Sequence, residues 1–207
     1  MLVRVWLPDR PGALGLVASR IGAIGADIVG IDVLERSEHV AVDEFAVVLP
    51  NPDLQQLLVR EIEEVDGASV EECAVVERCP DPRLDALESV NHVASAARVD
   101  ELAAHLVASV LREFRADWAA LLADNEVLAC DGVSAPDAEV LRALATGTSA
   151  SPAVSAGDAG PDDLAVAALT TLPGVLLVGR AGHPFRQRER RQLRELARIA
   201  DRVQQLL

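Results

Sequence analysis

The chain starts with a short apolar run, residues 2–7, in which Leu2 and Trp6 alternate away from Val3 and Val5. A period of two predicts a strand. The period then changes: over residues 12–24, Leu14, Val17, Ile21 and Ile24 recur at helical spacing, and Gly25 ends the run. Strands are predicted again over 27–34 and 40–49, joined by the polar connection ERSEH. Asn51-Pro52 opens a second helix, since Asn51 can cap and proline suits the first helical position. Leu54, Leu57, Leu58, Ile62 and Val65 form its apolar stripe, and Asp66-Gly67 stops it before a fourth strand at 69–76. The order β-α-β-β-α-β is that of the ferredoxin-like split βαβ arrangement. Its helices cover one sheet face, and the face carrying Leu2 and Trp6 needs a partner.

Two prolines in RCPDPR, residues 78–83, break the pattern. The predicted division is a first domain at 1–77, a linker at 78–83 and a second domain at 84–207. The second domain begins helically, with Leu84, Leu87, Asn91 and Ala94 on one face, then Leu102, Leu106, Val110 and Phe114. Residues 118–123 and 126–132 read as a hairpin turning at Asp124-Asn125, followed by a short helix over 137–145. The small and polar segment 147–163 predicts a mobile loop around one short strand. Two more strands follow, at 163–170 and 174–180, joined through Leu172-Pro173-Gly174. A final helix over 185–207 carries Leu193, Leu196, Ala200, Val203 and Leu207 on one face. The whole is an α+β chain.

Composition narrows the function classes. The protein has 207 residues, half of them hydrophobic, but only 2% aromatic and no tyrosine. Stacking on nucleobases has little to work with, and a net charge of −14 repels a phosphate backbone. All nineteen basic residues are arginine, so Schiff-base chemistry and a P-loop lysine are excluded. Cys73, Cys79 and Cys130 form no C-x-x-C and read as free thiols in a reducing compartment. With no signal peptide and no long apolar run, the expected location is the cytoplasm, away from membranes. His39, His92, His105 and His183 stand at no metal-ligand spacing, and Asp158, Asp162 and Asp163 lack a calcium-loop pattern. Neither a metal, a cofactor nor a catalytic set is expected.

Seven arginines make the last helix basic, from Arg186 to Arg202. Three readings arise: a solvated face whose apolar stripe lies in a helical dimer interface, docking on the acidic first domain, and DNA contact, in that order of preference. Residues 1–77 carry fifteen acids against five arginines.

The segment LPDRPGALG, residues 7–15, is the candidate for function. It contains no G-x-G-x-x-G, P-loop or G-x-S-x-G pattern. Gly12 permits a tight turn, and the N–H groups of Ala13 and Leu14 at the helix start suit one carboxylate. Asp9 before the turn and Asp27 at the next strand can accept bonds from an ammonium group. A zwitterionic amino acid fits that pairing. The bland alternative is that Gly12 only turns the chain and Asp9 only caps the helix.

Asp9-Arg10-Pro11-Gly12-Ala13-Leu14, followed by Ile21-Gly22-Ala23-Ile24-Gly25-Ala26-Asp27-Ile28, resembles the signature of the ACT domain, D/N-R-P-G-x-L, a helix, then G-x-N-I. The resemblance implies a regulatory domain that binds small effectors, usually amino acids, where two copies pair. In serine-binding relatives two Asn side chains hold the ligand; their positions are Asp9 and Asp27 here, and Asp27 departs from the usual Asn. The implied ligand-binding residues are Asp9, Gly12, Ala13, Leu14, Asp27 and Ile28. Residues 83–207 resemble a GAF-like sensor domain in their flanking helices, in RADWAALL (115–122) and in the ending VLLVGR through His183-Pro184-Phe185 into a helix. Cyclic-nucleotide and bilin signatures are missing. The expected protein is a non-catalytic homodimeric regulator that senses an amino acid, with a possible protein partner. The rivals are an ACT domain attached to an enzyme, a transcription-linked module, and a scaffold without ligand.

Overall fold

The computed structural model describes residues 1–158, 160–171 and 174–207. The chain divides into two compact units, Met1–Asp81 and Pro82–Leu207. It is a mixed α+β protein with two four-stranded antiparallel sheets.

The first unit runs β1 (Leu2–Pro8), α1 (Ala13–Ala23), β2 (Asp27–Arg36), β3 (Val40–Val48), a 3-10 turn (Pro52–Leu54) leading into α2 (Gln55–Glu63), and β4 (Ser69–Ala74). The sheet order is β2-β3-β1-β4. Period-two alternation sends Val3, Val5 and Leu7 inward with Phe45 and Val47. Val17 and Ile21 of α1 and Leu58 and Ile62 of α2 complete that core. Asn51 caps as expected, its Oδ1 accepting from the Asp53 N–H at 3.0 Å. One expectation fails in α1. The buried row is Ala13, Val17 and Ile21, and Leu14 is turned outward, 39% exposed. On the opposite sheet face Arg4 pairs with Glu44 at 2.9 Å, and the Trp6 indole donates to Glu71 at 3.1 Å.

The second unit runs α3 (Pro82–Ala94), α4 (Val99–Phe114), β5 (Trp118–Ala123), β6 (Glu126–Gly132), α5 (Ala138–Ser149), α6 (Pro152–Ser155), β7 (Leu164–Leu169), β8 (Gly174–Gly179) and α7 (Gln187–Gln204). Its sheet order is β6-β5-β8-β7. Leu121, Leu176 and Val178 join Leu106 and Val110 of α4 and Leu193 and Ala197 of α7 in one core. Leu122, Val166 and Leu177 form a second core with Leu141 of α5. Asp124 and Asn125 both take positive φ, 48° and 66°, which is how a two-residue hairpin matches strand twist. Where a short strand in a loop was expected at 147–163, α5 extends to Ser149 and α6 follows. Proline at the first turn starts α6, and local helical bonds outweigh the small-residue composition. The predicted connection between β7 and β8 through Leu172-Pro173 lies outside the described residues.

Buried polar groups tie this unit together. Arg180, 3% exposed, donates to both Glu189 oxygens at 2.8 and 3.1 Å, to the Phe114 carbonyl at 2.8 Å and to the Pro184 carbonyl at 2.9 Å. Its guanidinium lies 4.2 Å from the Phe185 ring centre. Asp201 of α7 accepts from the Thr170 N–H and hydroxyl and from the Thr171 N–H, at 2.8 to 3.0 Å.

α7 also corrects the expected interface. Leu193, Leu196 and Ala200 of its stripe are buried in their own unit's core and Val203 packs partly against it, which leaves only Leu207 of the stripe exposed. Arg190 donates to the Leu164, Pro161 and Phe185 carbonyls, and Arg194 pairs with Asp158. Much of the basic charge on this helix is thus engaged within the unit.

Candidate functional site

The chain leaves β1 at Pro8 and must reverse into α1 within four residues. Gly12 makes this possible: its φ is +90°, a conformation that costs an L-residue about 1–2 kcal/mol. A Cβ there would meet nothing within 4 Å, so the turn is open on that side. Among the described residues no side chain caps α1. The Ala13 N–H donates back to the Arg10 carbonyl at 3.2 Å and is not available to a ligand, contrary to expectation. Among the described residues the N–H groups of Leu14 and Gly15 have no acceptor. The open pair of helix N–H groups is therefore one residue further along than the spacing alone indicates.

Asp9 does not cap the helix either. Its N–H donates to the His39 carbonyl at 2.9 Å, which holds the turn against the β2–β3 connection. Its carboxylate accepts from Arg36, Nη2 at 2.7 Å and Nε at 3.3 Å, a side-on geometry. That bond and the Asp9 charge raise the Arg36 pKa, and Asp43 adds to them.

Asp43 is the residue that sequence reasoning missed. It is 5% exposed, and among the described residues its Oδ1 has no hydrogen-bond partner. Burial pushes its carboxyl above the ordinary carboxylate range; the nearby Arg36 opposes this and Asp9 reinforces it. The signal was present in the alternation of β3. Asp43 shares parity with Phe45 and Val47, the inward-facing positions, where an acid is rare.

The structure separates the two ends of the expected site. Pro8, next to Asp9, pairs with Val40 at the start of β3. Asp27 and Ile28 pair with Val48 and Val47 at its far end. At about 3.3 Å per residue that is roughly 26 Å. Within one chain Asp9, Gly12, Ala13 and Leu14 are together, and Asp27 and Ile28 are elsewhere.

The second unit contains a cavity of about 440 Å³ lined by Asp124, Asn125, Thr146, Ser149, Ser155 and Ala168, among others. Burial raises the thiol pKa of Cys73 and Cys130, so neither is primed as a nucleophile. Among the described residues no group of three His, Cys, Asp or Glu is placed to hold a metal ion, and no helix is long and apolar enough to cross a membrane.

No family model matches the chain, and no curated protein matches it. Among solved structures it is similar to a bacteriophytochrome from the photosynthetic bacterium R. palustris, at 14% identity and a TM-score of 0.44. The match covers 84% of this chain and 47% of the bacteriophytochrome, so the chain spans about half the length of that protein.

Proposed function

We propose that this protein is a non-catalytic sensor that binds an amino acid at the β1–α1 turn and relays the event through pairing of two copies. The observation that carries the reading is the Gly12 turn. It leaves two helix N–H groups open beside an Asp9–Arg36 pair, and so gathers donors for a carboxylate and acceptors for an ammonium in one place. The β-α-β-β-α-β order with sheet order β2-β3-β1-β4 supports a ferredoxin-like, ACT-type domain.

The separation of Asp9 from Asp27 supports pairing. β2 is an edge strand, and it exposes Val29, Ile31 and Val33. Such an edge is a template for another strand. If two β2 strands meet antiparallel about Ile31 and Asp32, the Asp27 and Ile28 of one copy arrive near the Arg36 and Asp9 of the other. The second unit, with three helices on one sheet face and α5 and α6 on the other, is read as a GAF-like relay.

A thermal-melt screen of the whole chain against the twenty amino acids tests this. A ligand at about 100 times its dissociation constant adds roughly 2.7 kcal/mol of stability. Gly12→Val, which cannot hold the turn without strain, is expected to abolish the shift. Sedimentation with and without the active amino acid reads the change in association. No shift with any amino acid would defeat the proposal.

A further inference from the structure

Two other carboxylates on helix α7 show what a buried acid looks like when its role is structural. Asp201 takes four hydrogen bonds from the Thr170–Thr171 turn. Glu189 takes two from Arg180 and one from the Arg186 N–H at 2.8 Å. Asp43 is as deeply buried, yet among the described residues its Oδ1 has no partner. A buried acceptor without a donor is costly, about 1–3 kcal/mol in ordinary cases and more for a charge. Such a group calls for a donor from outside the chain, either an ordered water or a ligand.

The register shows where that donor would come from. Asp43 pairs with Val5 on β1 and Val33 on β2. Arg36 pairs with Ala41, two residues before Asp43 and on the same sheet face. Asp43 is therefore one row inward from the Arg36–Asp9 pair, at the end of the sheet where α1 begins. Asp9 and Arg36 cancel in charge, which leaves the single negative charge of Asp43 to be met. Across the strand, Val33 is 43% exposed, and Ile31 beyond it is exposed to the same extent. Leu14 adds an outward apolar side chain at the first turn of α1.

We propose that Asp43 is the ammonium acceptor of this site, and that the ligand it selects is an α-amino acid with an apolar side chain. The ligand ammonium donates to Asp43 Oδ1. Its carboxylate faces the Leu14 and Gly15 N–H groups and Arg36. Its side chain lies against Val33 and Ile31. An acidic side chain would add a second anion beside Asp9 and Asp43 and is disfavoured. The inference rests on the reading that the turn binds an amino acid, and adds which residue takes the amine and which side chains are accepted.

The test is a binding titration of the full chain with L-leucine, L-glutamate, 4-methylpentanoate (leucine without its amine) and 3-methylbutylamine (leucine without its carboxylate), repeated on Asp43→Asn. Leucine is expected to bind, and both fragments and glutamate to bind at least tenfold more weakly. Asp43→Asn is isosteric and removes the uncompensated charge, so it is expected to melt no lower than the parent and to bind leucine about tenfold to a hundredfold more weakly. Equal leucine affinity in the variant would overturn the role of Asp43 while leaving the amino-acid reading intact. Glutamate bound as tightly as leucine would overturn the selectivity. No binding of any of the twenty amino acids to the parent chain would overturn both.

Discussion

Removing the Glu189 side chain exposes how much one buried ion pair carries. Glu189→Ala leaves Arg180 with its carbonyl bonds to Phe114 and Pro184 but without its counter-charge, at a residue 3% exposed. Breaking one partner of a buried pair costs about 3–5 kcal/mol, because the remaining charge is desolvated and uncompensated. The same change removes the carboxylate that accepts from the Arg186 N–H at the start of α7, and loss of that cap adds about 1 kcal/mol. In a unit of this size each kcal/mol is worth roughly 4 °C, so a fall of about 15 °C or more is expected. The two tryptophans make the assay selective. Trp6 is in the first unit and Trp118 in the second, so a Trp6→Phe background reports the second unit alone by fluorescence in urea. Arg180→Met combined with Glu189→Leu should recover most of the loss, since both charges are gone. A single-variant cost under about 1 kcal/mol would refute the reasoning and place this pair among the weak surface type.

Four further outcomes are expected. Gly179→Ala would drive a Cβ into the Trp118 indole, so the ring must move; a loss of about 1–3 kcal/mol with a changed Trp118 emission is expected in denaturant melts. His92, stacked on His105 at 4.1 Å, has its pKa lowered by burial, then by the His105 and Arg112 charges. The unfolded chain therefore takes up a proton first, and stability is full above about pH 6.5 and falls as pH drops below it; melts of His105→Gln between pH 7.5 and 5.5 should show a shallower fall than the parent. The raised pKa of Asp43 has the opposite sign. Its folded form keeps the proton longer, so its contribution is most favourable below about pH 4 and worsens as pH rises; any advantage of Asp43→Asn at pH 7 should disappear in urea melts at pH 4. Asp201→Ala should loosen the Thr170–Thr171 turn, read as faster amide exchange at those two residues.

Local pattern carried most of the fold. The alternation in β1, the Asn51-Pro52 start and the Asp124-Asn125 turn each depend on neighbours in sequence, and each appears where that chemistry predicts. What local pattern lacked was the partner across the fold. Leu14 fits a helical stripe by spacing as well as Ala13 does, and only the α2 and sheet packing decides between them. The stripe of α7 is apolar whether a partner subunit or its own sheet covers it. Likewise, Asp9 and Arg36 are 27 residues apart, and only the sheet brings their side chains together. The candidate turn was legible because Gly12 is a local requirement. The register that separates Asp27 from it was not.

Under the proposed pairing of two copies, that separation changes what dilution does. If the two halves of the site belong to different copies, each antiparallel pair holds two equivalent ligands, and a lone chain holds neither completely. The association constant then rises with the square of ligand activity at saturation. A bound small molecule acts as cement between chains, and lowering the protein concentration becomes equivalent to adding an antagonist. Half-saturation would shift with the amount of protein in the tube, a signature no self-contained pocket produces.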